Sequence, residues 1–209
     1  LASEPEMARD IAPRILQSTR AINELFDSLF DLTRIDAGNY KVRLQHVDVQ
    51  QLFADLALQF EPVAAAKRLR LRTHTRPTTL WSDPVVLRRI LGNLVSNALR
   101  HTSAGGVLMA LRQRNNMVVF EVWDTGVGIA REHQQAIFQE FFRVSQHQGT
   151  EDSLGLGLTI VSKLASLMGY QLALQSEANR GSVFRVMLPA YTQQEGDPTP
   201  KPTVVAAAG

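Results

Sequence analysis

The sequence predicts an α+β fold, a two-layer sandwich preceded by one long helix. Helical patterns segregate from strands that are mostly hairpin-connected, and a strong helix start at Asp83-Pro84 opens a helix with an apolar face. At 209 residues, with 44% hydrophobic and 20% charged side chains, the chain can bury one sizeable core.

The first element runs from about Pro5 to Asp36, where Ile15, Ile22, Leu25, Leu29 and Leu32 fall at heptad spacing. One helix cannot bury such a seam alone, so the stripe needs either a partner helix or its own domain to pack on. Gly38, in DAGNY, supplies the backbone freedom that commonly ends a helix. A second helix is expected over Val49 to Ala66 behind the cap Asp48, with Pro62 as a candidate kink or early stop. The alternation RLRLRT at 68–73 reads as a strand with Leu69 and Leu71 inward. Asp83 caps and Pro84 opens a helix running to about His101.

Strands follow at 106–112 and 117–124, joined across Arg114-Asn115-Asn116, and the second ends in the turn signal Asp124-Thr125-Gly126. Residues 131–142 are expected to be helical, and 143–153 to form a polar loop. A helix over 156–168 stops at Gly169, and strands 171–176 and 182–188 close the fold. From Gln193 the sequence turns to proline and small residues, a linker or disordered end. The resulting division is 1–40, 41–191 and 192–209.

Charge and composition exclude several classes. The net charge is +2 and the basic residues are scattered, which gives no case for nucleic acid or an anionic membrane as partner. The absence of cysteine excludes disulfides and thiolate metal sites and fits a cytoplasmic setting. No apolar run approaches the roughly 18 residues needed to span a bilayer. A start at Leu1 reads as a piece of a longer protein, in which an inner-membrane anchor remains open.

Three segments carry candidate chemistry. In NLVSNALRHT, Asn93 and Asn97 stand at i and i+4 with Arg100 three residues on, so one helix face presents two amide oxygens and a guanidinium. Amide oxygens suit Mg²⁺ and arginine suits phosphate, the alternative being amides that face solvent or cap loops. In DTGVGI, Gly126 and Gly128 let backbone approach a flat ligand, and the acceptor-only Asp124 can take the exocyclic amine of adenine. The same residues are also good turn chemistry. In SLGLGL, Gly155 and Gly157 precede a helix whose N-terminal N–H groups favour phosphate, the alternative being a plain loop-to-helix junction. It is neither a Walker loop nor a dinucleotide fingerprint.

Taken in order, these segments resemble the catalytic domain of sensor histidine kinases, within the GHKL group of ATPases. Residues 93–102 look like the family's N box, DTGVGI like its first glycine box, FQEFFR at 138–143 like its F box, and LGLGLTIV at 154–161 like its second. RGSVFRVMLP at 180–189 resembles the closing strand. The resemblance implies a Bergerat-type fold, a mixed sheet with helices on one face. It also implies ATP and Mg²⁺ as cofactors, Asn97 and Asn93 as metal ligands, and Asn93, Asn97 and Arg100 as the catalytic set. His101, Asp124, Gly126, Gly128 and Ile129 would meet the adenine. Phe138, Phe142, Gly155, Leu156, Gly157 and Thr159 would line the lid and phosphate side. Ser153 and His101 depart from the family, which often has glycine and an aromatic ring there.

The N-terminal segment resembles the second helix of the family's dimerisation and phosphoacceptor hairpin. None of the five histidines, His46, His74, His101, His133 and His147, carries the family's acceptor pattern. The resemblance therefore implies a γ-phosphoryl transfer to a histidine outside this sequence, little self-labelling, a homodimeric parent protein and a response-regulator receiver as partner. Two rival readings are a gyrase- or MutL-like ATPase and a degenerate binding scaffold. The first is disfavoured because Asn93 stands where those enzymes place a glutamate base, and an amide cannot take a proton.

Overall fold

The computed structural model describes residues 32–114, 117–142 and 155–189, with Thr19, Ile22, Phe26, Leu29 and Phe30 of the first helix. Ile15, Leu25, Asn115, Asn116, the expected polar loop with Ser153, and the tail lie outside the described residues. The first helix, α1, ends over residues 32–36. There Gly38, at φ +66°, donates its N–H to Ile35 O at 3.0 Å, the expected left-handed stop. The heptad stripe splits in its environment: Leu32 is buried in the domain core, whereas Ile22 is 53% exposed.

After α1 the chain forms β1 (Gln45–Asp48), α2 (Val49–Ala66), β2 (Arg70–His74), β3 (Thr79–Ser82) and α3 (Pro84–His101). It continues through β4 (Gly106–Arg114), β5 (Met117–Asp124), α4 (Gly157–Met168), β6 (Gln171–Glu177) and β7 (Gly181–Pro189). Strands β2-β4-β5-β7-β6 make one mixed sheet, with β2 and β4 parallel and the other pairs antiparallel. Val118, Phe120 and Val122 of β5 and Phe184, Val186 and Leu188 of β7 face the buried sides of the helices. Phe53, Leu56, Ile90, Leu94 and Leu164 complete that core. The period-2 and period-3.6 patterns meet in one apolar layer, which is the expected two-layer sandwich.

Both predicted caps are present. Asp48 accepts from Gln50 and Gln51 N–H at 2.8 and 3.1 Å, and Asp83 from Val85 and Val86 N–H at 2.9 and 3.2 Å. Asp83 is buried and also accepts from Arg43 N–H at 2.8 Å, so it anchors α3 to the chain after α1. Pro62 lies inside α2 without stopping it.

One element was not foreseen and one expectation fails. Strands β1 and β3 pair as a separate antiparallel ribbon that, at four residues each, is too short to betray itself by alternation. Residues 131–142 form two 3₁₀ turns, Arg131–His133 and Ala136–Phe138, and not one helix. Gln134 spends its side chain on Ile129 O and Ser176 O, Ile137 is buried, and Phe141 turns to φ +60°. Tertiary anchoring thus overrides the local helical preference.

The face of the sheet opposite the helices has its own polar centre. Buried Glu121 accepts from Arg112 Nε at 2.8 Å, Arg185 Nε at 2.9 Å and Trp123 Nε1 at 3.1 Å. Burial pushes its carboxyl up, but these donors together outweigh burial and hold it below the usual glutamate range.

Candidate nucleotide site

Helix α3 carries the amide face. Its apolar positions, Ile90, Leu91, Leu94, Val95, Ala98 and Leu99, are buried, which leaves Asn93, Asn97 and Arg100 half-buried along one edge. Asn93 Nδ2 donates to Arg89 O at 2.8 Å, which turns Oδ1 toward the start of α4. A Cβ built on Gly157 would stand 3.1 Å from that oxygen. Asn97 makes no side-chain hydrogen bond to any described residue, so its amide oxygen is open to a ligand. The chemistry present, two neutral oxygens and a guanidinium, fits a hydrated Mg²⁺ bridged to phosphate. Among the described residues no group of three or more His, Asp or Glu side chains could hold a metal.

Among the described residues no side chain caps the start of α4. Its first N–H groups are therefore open to an anion. Leu156 and Thr159 are buried, and Thr159 Oγ1 has no hydrogen-bond partner among the described residues. Gly155, at φ +72°, lies where a Cβ would be 2.8 Å from Phe142 O, so the two flanks of residues 143–154 meet.

The C-terminal end of α3 is tied down by Lys67, whose Nζ donates to Leu99 O at 2.7 Å and Arg100 O at 3.0 Å. His101 O accepts from Val127 N–H at 3.3 Å, which joins that end to the DTGVGI loop. Asp124, last residue of β5, accepts from Gly126 N–H at 2.8 Å and stands opposite Ser182 of β7. Burial nonetheless keeps its carboxyl above the usual aspartate range. Gly126 is buried, and a Cβ there would collide with His101 O. Gly128, at φ +63°, would collide with Glu177 O. The two glycines are thus required by close backbone approach as well as by turn geometry.

Of the sequence-derived candidates, the structure brings Asn93 to Gly157, and His101 to the loop of Asp124, Gly126 and Gly128. Phe138, partly buried against the core, packs edge-on on Phe184 at 6.4 Å. Phe142 lies beside His133 at 5.9 Å and next to Gly155. Sequence reasoning missed Ser176 and Ser182. Ile129 N–H donates to Ser176 Oγ at 2.8 Å, and the two serine hydroxyls lie 2.9 Å apart. Their only signal was the Gly-Ser pair at the start of the closing strand.

Comparison with known proteins places these observations. Residues 82–192 match the family described as histidine kinase-, DNA gyrase B-, and HSP90-like ATPase. The sensor histidine kinase RcsC of Escherichia coli is 29% identical over 185 residues, covering 85% of this chain and 19% of RcsC. The circadian input-output histidine kinase CikA of Synechococcus elongatus is 29% identical over 209 residues, covering 95% of this chain and 27% of CikA. The crystal structure of full-length ShkA in complex with AMPPNP superposes with a TM-score of 0.78 at 30% identity, covering 92% of this chain and 40% of ShkA. The chain thus spans well under half the length of these relatives.

Proposed function

Since this chain belongs to the histidine kinase-, DNA gyrase B- and HSP90-like ATPase family, we propose that it moves the γ-phosphoryl of ATP to a histidine of its parent protein. It is an ATP-binding catalytic domain of the sensor histidine kinase type, with the mixed sheet and one-sided helices of that fold. The observation that carries the mechanistic reading is the approach of Asn93 Oδ1 to the start of α4, where a metal-bound phosphate would sit between amide oxygens and helix N–H groups.

In this reading Asp124 accepts the adenine amine, Gly126, Gly128, Ile129 and His101 surround the ring, and Arg100 meets phosphate. Leu156, Gly157 and Thr159 form the phosphate wall, with Phe142 and Gly155 at its margin. Asn97 would hold Mg²⁺ with support from Asn93, and the ion would neutralise phosphate charge. The bond between the γ-phosphorus and the bridging oxygen breaks, a P–N bond forms to an imidazole nitrogen, and ADP leaves. The protein's share is positioning and charge stabilisation.

The acceptor is assigned to a histidine outside these residues, because none of the five present carries the acceptor pattern. The division at about residues 40 and 191, a dimeric parent, a receiver-domain partner and a cytoplasmic setting, where ATP is found, belong to the same proposal. Among the described residues no helix is long and apolar enough to cross a membrane. Incubation with γ-labelled ATP tests the acceptor assignment: the chain should bind nucleotide yet incorporate almost no acid-labile phosphate. Efficient self-labelling would overturn it.

A further inference from the structure

Strand β2 forms one edge of the sheet, with β4 as its strand partner among the described residues. It lies within KRLRLRTHTRP, where Arg68, Arg70, Arg72, His74 and Arg76 occupy every second position. All five are exposed. Successive side chains of a strand alternate between faces, and Leu69 and Leu71 pack on the helix side, so Arg70, Arg72 and His74 take the other face. Charges that look scattered along the whole chain are gathered here into one row, its members on the strand about 6.6 Å apart. Among the described residues none of the five has a carboxylate partner, whereas Arg112 and Arg185 on the same face are both committed to Glu121.

The backbone of the same strand is open along its outer side. Arg70 N–H donates inward to Gly105 O at 3.0 Å, and the residues that turn their backbone groups to β4 in this way, Arg70, Arg72 and His74, alternate with residues that turn theirs outward. The N–H and C=O groups of Leu71 and Thr73 thus face away from the sheet, with no backbone partner among the described residues. Thr73 is exposed and Leu71 only partly buried. An open edge is a template for a further strand, and charge along it guards against pairing with another copy. A row of like charges repels its own kind and, by the same force, attracts a strand with acidic residues at alternate positions.

We propose that the outer edge of β2 is a docking site for an extended acidic segment of a partner protein, which adds to the sheet as a further strand. Carboxylates at every second residue of that segment pair with Arg70 and Arg72, and its backbone bonds to Leu71 and Thr73. Its intervening residues, small or apolar, lie on the helix side beside Leu71. In strand addition the main-chain bonds supply affinity and the alternate side chains supply the choice of partner. A nucleic acid or an anionic membrane fits less well, because it uses the charge and leaves the outward N–H and C=O groups unmet. The proposal uses none of the residues assigned to nucleotide, so it stands or falls separately from that reading.

The test titrates the whole 209-residue chain with a labelled, end-blocked peptide that alternates glutamate and valine, read by fluorescence anisotropy. The peptide should bind, more weakly as salt rises, and Arg70→Gln combined with Arg72→Gln should weaken it about tenfold. Thr73→Pro, which deletes an outward N–H at an edge position and keeps every charge, should weaken it by a similar factor. Both variants should keep their affinity for Mg²⁺-ADP within about twofold, as a check that the domain is folded. A peptide N-methylated at alternate residues cuts the same bonds without touching the protein and should fail to bind. No binding by wild type overturns the proposal. Equal binding of a peptide with its glutamates in one block and its valines in another overturns strand addition in favour of adhesion by charge alone. Self-association of the double arginine variant with peptide affinity unchanged would show the charges to be only a guard. Tighter binding to a single-stranded oligonucleotide or to phosphatidylserine vesicles, lost in the same variant, would overturn the protein partner.

Discussion

At the end proposed for adenine, Asp124 is held by its own loop, accepting from Gly126 N–H at 2.8 Å, whereas at the end proposed for phosphate Asn97 makes no side-chain hydrogen bond to a described residue. The loop beyond Asp124 is held by Val127 N–H on His101 O, Asn179 N–H on Val127 O at 2.7 Å, and Thr125 Oγ1 on Ala104 O at 2.9 Å. Asn93 gives only its Nδ2, to Arg89 O, and keeps Oδ1 for the space before α4. The difference teaches how one site divides its work. A flat base is recognised by a cradle completed before it arrives, while a hydrated metal and a phosphate chain are met by groups whose partners are the ligand itself. Substitutions at the first end should therefore disturb fold and binding together, and those at the second binding alone.

The largest effect is expected at Asp124. Asp124→Ala removes an ionised acceptor, and affinity for Mg²⁺-ADP should fall by about 2 to 3 kcal/mol in calorimetric titration. Next, Gly128→Ala should cost about 2 kcal/mol or more in denaturant unfolding, because an L-residue there meets a left-handed φ and the Glu177 carbonyl at once. A stable Gly128→Ala protein with unchanged affinity would break the comparison at its rigid end. Asn97→Ala should lower affinity by about 1.5 kcal/mol only when Mg²⁺ is present, with the melting temperature unmoved. A large loss of stability would show the amide to be structural.

Acidification probes both faces of the sheet with opposite signs. Asp124 is held above its usual range, so nucleotide affinity should fall at a pH above the ordinary aspartate value of about 3.9, and this component should vanish in Asp124→Asn. Protonation there relieves a burial penalty. Glu121 is held below its usual range, so its contribution to stability is full above the ordinary glutamate value and is lost as pH falls through the lowered one. The smallest effect is expected at Lys163 on α4, whose Nζ meets Asp36 at the end of α1 at 2.7 Å and Glu140 at 3.0 Å. These groups are partly exposed, and Lys163→Met should cost under about 1 kcal/mol.

The same division governs what was legible in the sequence. Helix α3 announced itself through Asp83-Pro84 and its apolar period, and Asn93, Asn97 and Arg100 fell on one face because helical spacing is local. Gly126 and Gly128 were legible as backbone requirements, though the carbonyls that impose them, on His101 and Glu177, lie far along the chain. Ser176 and Ser182 were not legible as a unit, since their partnership with Asp124 exists only in the register of three strands. The 131–142 segment misled for a related reason. Its apparent helix yields to the Gln134 bonds and the burial of Ile137, neither of which has a local signature.

The most direct test of the account is a titration of the chain with AMPPNP, with and without Mg²⁺, for wild type, Asp124→Ala and Asn97→Ala. The account predicts that Mg²⁺ strengthens wild-type binding, that Asn97→Ala removes this Mg²⁺ dependence while keeping a residual affinity, and that Asp124→Ala loses affinity with or without the ion. Binding that is unchanged in both variants would contradict it.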